Sequence, residues 1–367
     1  MRIAVITFHN TLNFGASLQC AALSRYLSSA GDEVEVIDYL PNYVMDKKSS
    51  LKELKKARGV RGFVKGVAYL STFYSIKAKD EKIGEFLDEN VTMTRAYHGF
   101  EELRSDPPKA DVYVCGSDQV WNPNLTGNAF DESFFLRFVN HDAKKVAYGV
   151  SVGELRIENV SDELKIITED FDHISVRESS ACKQLSSVLE KNVSVVLDPT
   201  LLLEKTEYAA MERPCKVTYG KYLLLYTVQN SDTAVKIAKR IASEKGLDLI
   251  DISPNPFQRI PSAKKILNIG PGEYLTLFKN AEYVVTNSFH GTVFSIVYEK
   301  DFNSVLHATR GERIRDLLRS VDLSDRIMIN SDEINASEIE YGRVKKQLSA
   351  LRENSNRFIQ ESILSDK

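Results

Sequence analysis

The feature that most constrains this chain is an alternation repeated along its length: a short β-branched run, a polar loop, then a helical pattern. Residues 3–6 read as a buried strand, residues 7–15 as a loop, and residues 16–29 place Leu18, Ala21, Ala22 and Leu27 at helical spacing before Gly31 supplies a stop. Further strands are expected at 34–38, 111–115, 145–150, 174–176 and 193–197. The pattern restarts near Lys221, with strands at 222–228, 247–251 and 283–286 and helices at 233–244, 271–279 and 290–298. Such spacing predicts mostly parallel sheets covered by helices. The expected fold is α/β, with two Rossmann-like, doubly wound domains facing a cleft. Their expected bounds are 1–205 and 215–330, with a linker around Pro214 and a terminal helix over 333–367 packing back on the body.

The length of 367 residues suits two domains. A formal net charge of −3 leaves no basic footprint for nucleic acid, so no such partner is expected. Cys20, Cys115, Cys182 and Cys215 form no CxxC pair and match no zinc spacing. They read as small buried thiols in a reducing compartment. No metal or cofactor site is expected. The N-terminal apolar run is too short for a signal peptide and no stretch is long enough to span a membrane, so a cytoplasmic location is expected. One segment is strongly basic: Lys47, Lys48, Lys52, Lys55, Lys56, Arg58, Arg61 and Lys65 face only Asp46 and Glu53 as counter-charges. A solvated helical face accounts for most such runs. The functional alternative is peripheral contact with the inner face of a membrane or with a phosphorylated acceptor. Oligomeric state is not legible.

Ligands of doubly wound sheets gather at the carboxyl ends of the strands, so the loops directly after strands matter most. At Asn287-Ser288-Phe289-His290-Gly291-Thr292 a strand ends and a helix begins at once. Asn287 or Ser288 can cap that helix, and its N–H groups and macrodipole favour phosphate or carboxylate. His290 in the first turn can donate to an oxyanion or protonate a leaving group. Gly291 lets backbone or ligand approach closely. An ordinary capped helix with a packing histidine would look the same. The junction Asn13-Phe14-Gly15-Ala16-Ser17-Leu18-Gln19 lacks a dinucleotide fingerprint. Asn13, Ser17 and Gln19 are neutral hydrogen-bonders suited to sugar hydroxyls. Gly116-Ser117-Asp118-Gln119-Val120-Trp121-Asn122 contains the single tryptophan. An aromatic face beside Asp, Gln and Asn is the make-up of a carbohydrate subsite. Asp118 is the candidate general base, although a turn with a buried tryptophan anchor is the plainer alternative. Arg177, Arg310 and Arg313 lie beside helix starts, where a guanidinium can grip carboxylate or phosphate, although a single arginine in such a place is more often a surface ion-pair partner.

Together these stretches resemble the polysaccharide pyruvyl transferase family. The carriers are Thr11-Leu12-Asn13-Phe14-Gly15-Ala16, Cys115-Gly116-Ser117-Asp118-Gln119-Val120-Trp121-Asn122-Pro123, Ile174-Ser175-Val176-Arg177-Glu178, Leu197-Asp198-Pro199-Thr200-Leu201-Leu202 and Asn287-Ser288-Phe289-His290-Gly291-Thr292, in the family's order. The resemblance implies a GT-B-like pair of domains. It implies phosphoenolpyruvate (PEP) as co-substrate, and as acceptor a sugar of a bacterial surface glycan or its lipid-linked precursor. The product would be a pyruvate ketal, with phosphate released. It associates His290 and Arg177 with the donor. A further basic residue of the family maps loosely to Arg310 or Arg313; with such a donor and acceptor, Asn287, Ser288, Gly291 and Thr292 join them as the candidate PEP side, and Asn13, Gly15, Gln19, Gln119, Trp121 and Asn122 are the candidate acceptor side. This chain has Ser288-Phe289-His290 where other branches carry Arg-Leu-His. One phosphate-binding arginine is thereby lost and the backbone N–H groups matter more. Two other readings fit the layout: a GT-B glycosyltransferase using a nucleotide sugar, and a non-catalytic sugar- or phosphate-binding protein on the same scaffold.

Overall fold

Strand pairing sorts the protein into two all-parallel sheets. The computed structural model describes residues 1–48, 60–215, 220–255, 258–306, 311–332 and 334–365, with side chains left out for 46–48 and 60–74. The first sheet contains β1 (Arg2–Ile6), β2 (Glu33–Tyr39), β3 (Met93–Tyr97), β4 (Val112–Cys115), β5 (Lys144–Val150), β6 (His173–Val176) and β7 (Val193–Val195), in the order β3-β2-β1-β4-β5-β6-β7. The second contains β8 (Tyr222–Tyr226), β9 (Asp248–Asp251), β10 (Ala263–Lys265), β11 (Tyr283–Thr286), β12 (Asp301–Val305) and β13 (Ile327–Met328), in the order β10-β9-β8-β11-β12-β13. Each order reverses once, between β1 and β4 and between β8 and β11. Those are the switch points at which doubly wound sheets hold ligands.

The chain divides into two compact units. The first comprises Met1–Ile76, Ile83–Leu203 and Leu351–Lys367, and the second Lys77–Lys82 and Glu204–Ala350. In chain order the helices are α1 (Phe14–Ser28), α2 (Asn42–Lys48), α3 (Val60–Asn90), α4 (Phe100–Ser105), α5 (Ser161–Ile167), α6 (Ser179–Leu189), α7 (Lys205–Tyr208), α8 (Asp232–Lys245), α9 (Pro271–Asn280), α10 (Phe289–Val297), α11 (Glu312–Ser320) and α12 (Tyr341–Ser362). Helix α8 shows why these segments fold as they do. Ser231 caps it through the Ala234 N–H, Ala234, Ile237, Ala238 and Ile241 bury one face, and Gly246 ends it at φ +63°. That left-handed conformation is the one glycine adopts without strain. The residues of the terminal segment divide between the units: Leu351–Lys367 belong to the first, where Arg352 Nε donates to the Leu201 carbonyl at 2.7 Å and Tyr26 donates to Asn356 at 2.6 Å.

Four strands fall outside the set expected from sequence: β3, β10, β12 and β13. In β12 the buried positions Asn303 and Ser304 are polar, and they are satisfied by Tyr283 at 2.7 Å and Thr292 at 2.7 Å. Hydrogen-bonded partners make such burial tolerable, and they come from other elements. Cys20 and Cys115 are buried thiols whose ionisation burial pushes far upward, whereas Cys182 and Cys215 are half-buried, a departure from the expected four buried thiols. Most of the basic run from Lys47 to Lys65 lies outside the described residues or side chains.

Candidate functional site

In the second unit the turn between β11 and α10 is built around Thr286. Its hydroxyl donates to the Tyr226 carbonyl at 2.7 Å and accepts the Ser288 N–H at 3.0 Å. Strand β11 is thereby tied to its neighbour β8 across the switch point. Asn287 repeats the tie one residue on: its Oδ1 accepts the Val228 N–H at 2.8 Å and its Nδ2 donates to the Gln229 carbonyl at 2.8 Å. The side chain is thus committed to holding the two loops together. Ser288 is the cap, accepting the Gly291 N–H at 3.3 Å. Tyr226, which ends β8, has its hydroxyl against Ser288, and burial pushes its ionisation far upward.

Two expectations here need correction. Gly291 does not leave room for a ligand: a Cβ at this position would lie 2.2 Å from Thr286 Oγ1 and 3.2 Å from Ser288 Cβ. The glycine is needed for close packing of the turn against its own strand. Thr292 faces the interior, fully buried, with its hydroxyl donating to the Ser288 carbonyl at 3.1 Å and sharing a 2.7 Å bond with Ser304. It fastens α10 to β12. His290 occupies the first turn of α10, at the positive end of the macrodipole. Its ring lies 5.3 Å from that of Phe289, and the Arg313 guanidinium stands 5.6 Å over the same phenylalanine ring. The fold therefore brings His290 and Arg313 to one phenylalanine. Arg310 lies outside the described residues.

In the first unit three of the quoted motifs converge on Arg177. Its Nη1 donates to Asp198 Oδ2 at 2.5 Å, and its Nη2 lies 3.7 Å from Asp118 Oδ1. Burial opposes the guanidinium charge, but Asp198, Glu178 and Asp118 outweigh it and hold the group protonated beyond its ordinary range. Asp118 is in the left-handed region at φ +84°, with its carbonyl accepting the Ser151 N–H at 2.9 Å and its Oδ1 accepting the Gln119 N–H at 2.8 Å. Glu178 accepts the Ser151 hydroxyl at 2.6 Å. Asp198 and Glu178 lie in two of the motifs quoted above, but sequence alone assigns neither a role. Their signal is the placement of both at the carboxyl ends of strands, in motifs that already flank Arg177 and Asp118.

The acceptor side expected from sequence is largely interior. Trp121 is completely buried: it stacks on Phe135 with ring centres 4.9 Å apart, meets Phe171 edge-on, and donates its indole N–H to the Phe134 carbonyl at 3.1 Å. It is a core anchor and presents no face to a sugar. Gln19 is also fully buried, with its Nε2 donating to Thr7 Oγ1, the Phe8 carbonyl and the Ala16 carbonyl at 2.8–3.0 Å. It braces the loop after β1, where the Thr7 hydroxyl donates to the Ser117 carbonyl at 2.6 Å. Asn13 caps α1 through the Gly15 N–H at 3.1 Å. Asn122 donates to Gln119 Oε1 at 2.9 Å, and both side chains close over Gly153, whose Cβ would lie 2.4 Å from Asn122 Nδ2. Of these residues only Asn13 is exposed. A cavity of about 760 Å³ lies at the opposite, amino ends of the strands of this sheet, lined by Arg2, Glu33, Glu35, Thr94 and Arg95. It contains none of the candidate residues.

The sequence matches the polysaccharide pyruvyl transferase profile over residues 13–307. The chain belongs to the polysaccharide pyruvyl transferase family. Among solved structures, the UDP-GlcNAc 2-epimerase of Methanocaldococcus jannaschii is similar at a TM-score of 0.52 and 14% identity, covering 100% of both chains. S. aureus MnaA in complex with UDP is similar at 0.51 and 11% identity, covering 99% of this chain and 94% of that one. No curated protein sequence matches. At such identities the structural likeness establishes the fold, which is GT-B-like. In this member of the family the Ser288-Phe289-His290 turn stands on a capped helix at the switch point of the second sheet.

Proposed function

We propose that this pyruvyl transferase moves the pyruvyl group of PEP onto two hydroxyls of a sugar in a bacterial surface glycan or its precursor, forming a ketal and releasing phosphate. One hydroxyl oxygen adds to C2 of the enol while C3 gains a proton. The second oxygen then forms its bond to C2 as the C2–O bond to phosphate breaks, and its proton leaves with a base. PEP and diol are consumed and ketal and phosphate are formed, with no redox change. The donor carries several negative charges and requires cationic and N–H partners in fixed positions. The observation that carries the reading is the β11–α10 turn, where His290 stands on a capped helix N-terminus and Arg313 lies over the adjoining Phe289 ring. Here His290 binds the phosphate or protonates it as it leaves. Asp118 is the base for the acceptor hydroxyl.

The test is purified protein with PEP and candidate glycans, read as phosphate release together with the mass gain of a ketal on the sugar. The His290→Ala variant is expected to lose at least about 100-fold in turnover with an unchanged melting profile. Full activity of that variant on a proven substrate refutes the central role of the turn.

A nucleotide-sugar enzyme is the second reading, favoured by the fold shared with UDP-GlcNAc 2-epimerases. A thermal-shift comparison of PEP with UDP-sugars separates the two, because a ligand that binds only the folded state raises its stability. Stabilisation by PEP without turnover on any glycan would instead mark a binding protein.

A further inference from the structure

The cavity at the amino ends of the first sheet exists because one face of β2 runs out of cover. Glu33, Glu35, Ile37 and Tyr39 alternate onto that face. Ile37 and Tyr39 are buried in the core with Tyr97, Leu103 and Tyr113. Leu103 comes from the crossover helix α4, whose six residues make about 9 Å of helix. The seven residues of β2 make about 23 Å of strand, so its amino half is left bare. Parallel register sets Arg2 beside Glu33 and Ala4 beside Glu35 on the same bare face. Strand β3 and the Pro108-Lys109-Ala110 segment line the rest of the cavity, whose volume of about 760 Å³ is within the range of small-ligand sites.

Two of the charges in its walls are already matched. Asp32 pairs with the Met1 ammonium at 3.4 Å, and Arg95 is held by Glu102 at 2.8 Å and Asp106 at 3.1 Å. The side chains of Arg2, Glu33, Glu35 and Lys109 are exposed and make no hydrogen bond or ion pair among the described residues. Two cations and two carboxylates thus face one space, all of them in the first unit. A polyanion there meets the glutamates and a polycation meets Arg2 and Lys109, so neither gains a net field. A neutral ligand rich in hydroxyls suits both halves. Its hydroxyls donate to the carboxylates and accept from the ammonium and guanidinium, in charge-assisted hydrogen bonds. Half-buried Met93 and Pro108 offer apolar surface to the C–H faces of sugar rings. We infer that this cavity binds an uncharged oligosaccharide, at a site separate from the switch point. The candidate residues of the first unit lie at the other ends of its strands, so glycan held here is retained and does not react. That the retained glycan is a distant stretch of the acceptor rests on the pyruvyl-transfer reading; the binding itself does not.

The test is binding of the full chain to an array of bacterial surface oligosaccharides, neutral and anionic, followed by calorimetry with the neutral member it retains best. The variants are Glu33→Gln with Glu35→Gln, which removes the negative half, and Lys109→Glu, which reverses one positive charge. Both alter exposed side chains, and a wild-type melting profile shows that each is folded. The expected result is retention of neutral members over anionic ones, with affinity weaker by about tenfold or more in each variant, the scale of a lost hydrogen bond to a charged group. The double variant should also move the preference toward anionic members. Phosphate release with PEP and a short methyl glycoside should stay at the wild-type rate in both variants. Retention of no neutral glycan, preference of the wild type for anionic members, or wild-type affinity in the folded variants each overturns the inference. So does a tenfold fall in turnover on the short glycoside, which would place these carboxylates in the reacting site. Absence of PEP binding by the wild type sinks the pyruvyl-transfer reading and leaves the glycan site standing. Absence of neutral-glycan binding in a protein that turns over PEP sinks only the glycan site.

Discussion

Replacing Gly291 with alanine probes the turn on which the functional reading depends. The added Cβ would stand 2.2 Å from Thr286 Oγ1 and 3.0 Å from Thr286 Cβ, so the threonine must move. Its hydroxyl holds two buried bonds, to the Tyr226 carbonyl and from the Ser288 N–H. At about 0.5–1.5 kcal/mol each, their loss costs about 1–3 kcal/mol. Overpacking adds about 1–3 kcal/mol. Alanine's better helix propensity returns up to about 1 kcal/mol. The net is a destabilisation of about 3 kcal/mol, within a range of about 1–6. For a unit of this size that corresponds to a fall of roughly 2–4 °C in melting temperature per kcal/mol. Calorimetric melting gives the number, and PEP titration of the same sample shows whether the cap survives. Gly84→Ala is the control: it lies inside α3 with nothing within 4 Å of the new Cβ, and should gain up to about 1 kcal/mol. If Gly291→Ala melts with the wild type and binds PEP unchanged, the turn is not the tightly packed device described above.

Trp121→Ala should cost about 3–5 kcal/mol in denaturant unfolding, whereas Trp121→Phe should cost less and leave PEP binding intact. Burial raises the ionisation of Tyr226 and Tyr283 above that of an unfolded chain. Their contribution is therefore fully present below about pH 10 and is lost as pH climbs toward the folded values, by about 1.4 kcal/mol per pH unit and per tyrosine. Urea midpoints at pH 9 and pH 11 should show that loss, and Tyr226→Phe should reduce its slope. If the basic run from Lys47 to Lys65 touches membranes, the protein should sediment with anionic liposomes at low salt and detach as salt rises or when several of the lysines become glutamate. No sedimentation at low salt returns the run to an ordinary solvated face.

What could be read from the sequence, and what could not, follows from the range of the forces involved. The turn at Ser288 and the strands flanking it are local events, decided by a capping side chain and a run of apolar residues within about ten positions. They stand in the structure as the sequence implies, as do the α/β class and the doubly wound sheets. The direction in which a side chain points is decided elsewhere. Trp121 carries the composition of a sugar subsite, yet Phe134, Phe135 and Phe171, brought in by other elements, enclose it. Gln19 looks like a sugar ligand until the carbonyls of Phe8 and Ala16 account for its donors. Strand β12 escapes notice because its polar residues are satisfied by Tyr283 and Thr292, which no local pattern reveals. Arg177 is the most instructive of these. Beside a helix start it resembles an anion clamp, and only the return of the chain at Asp198 shows that one of its nitrogens is held by a carboxylate. A cationic residue near a strand end thus predicts an anion site only once the carboxylates that reach it are known, and here they arrive from three separate strand ends.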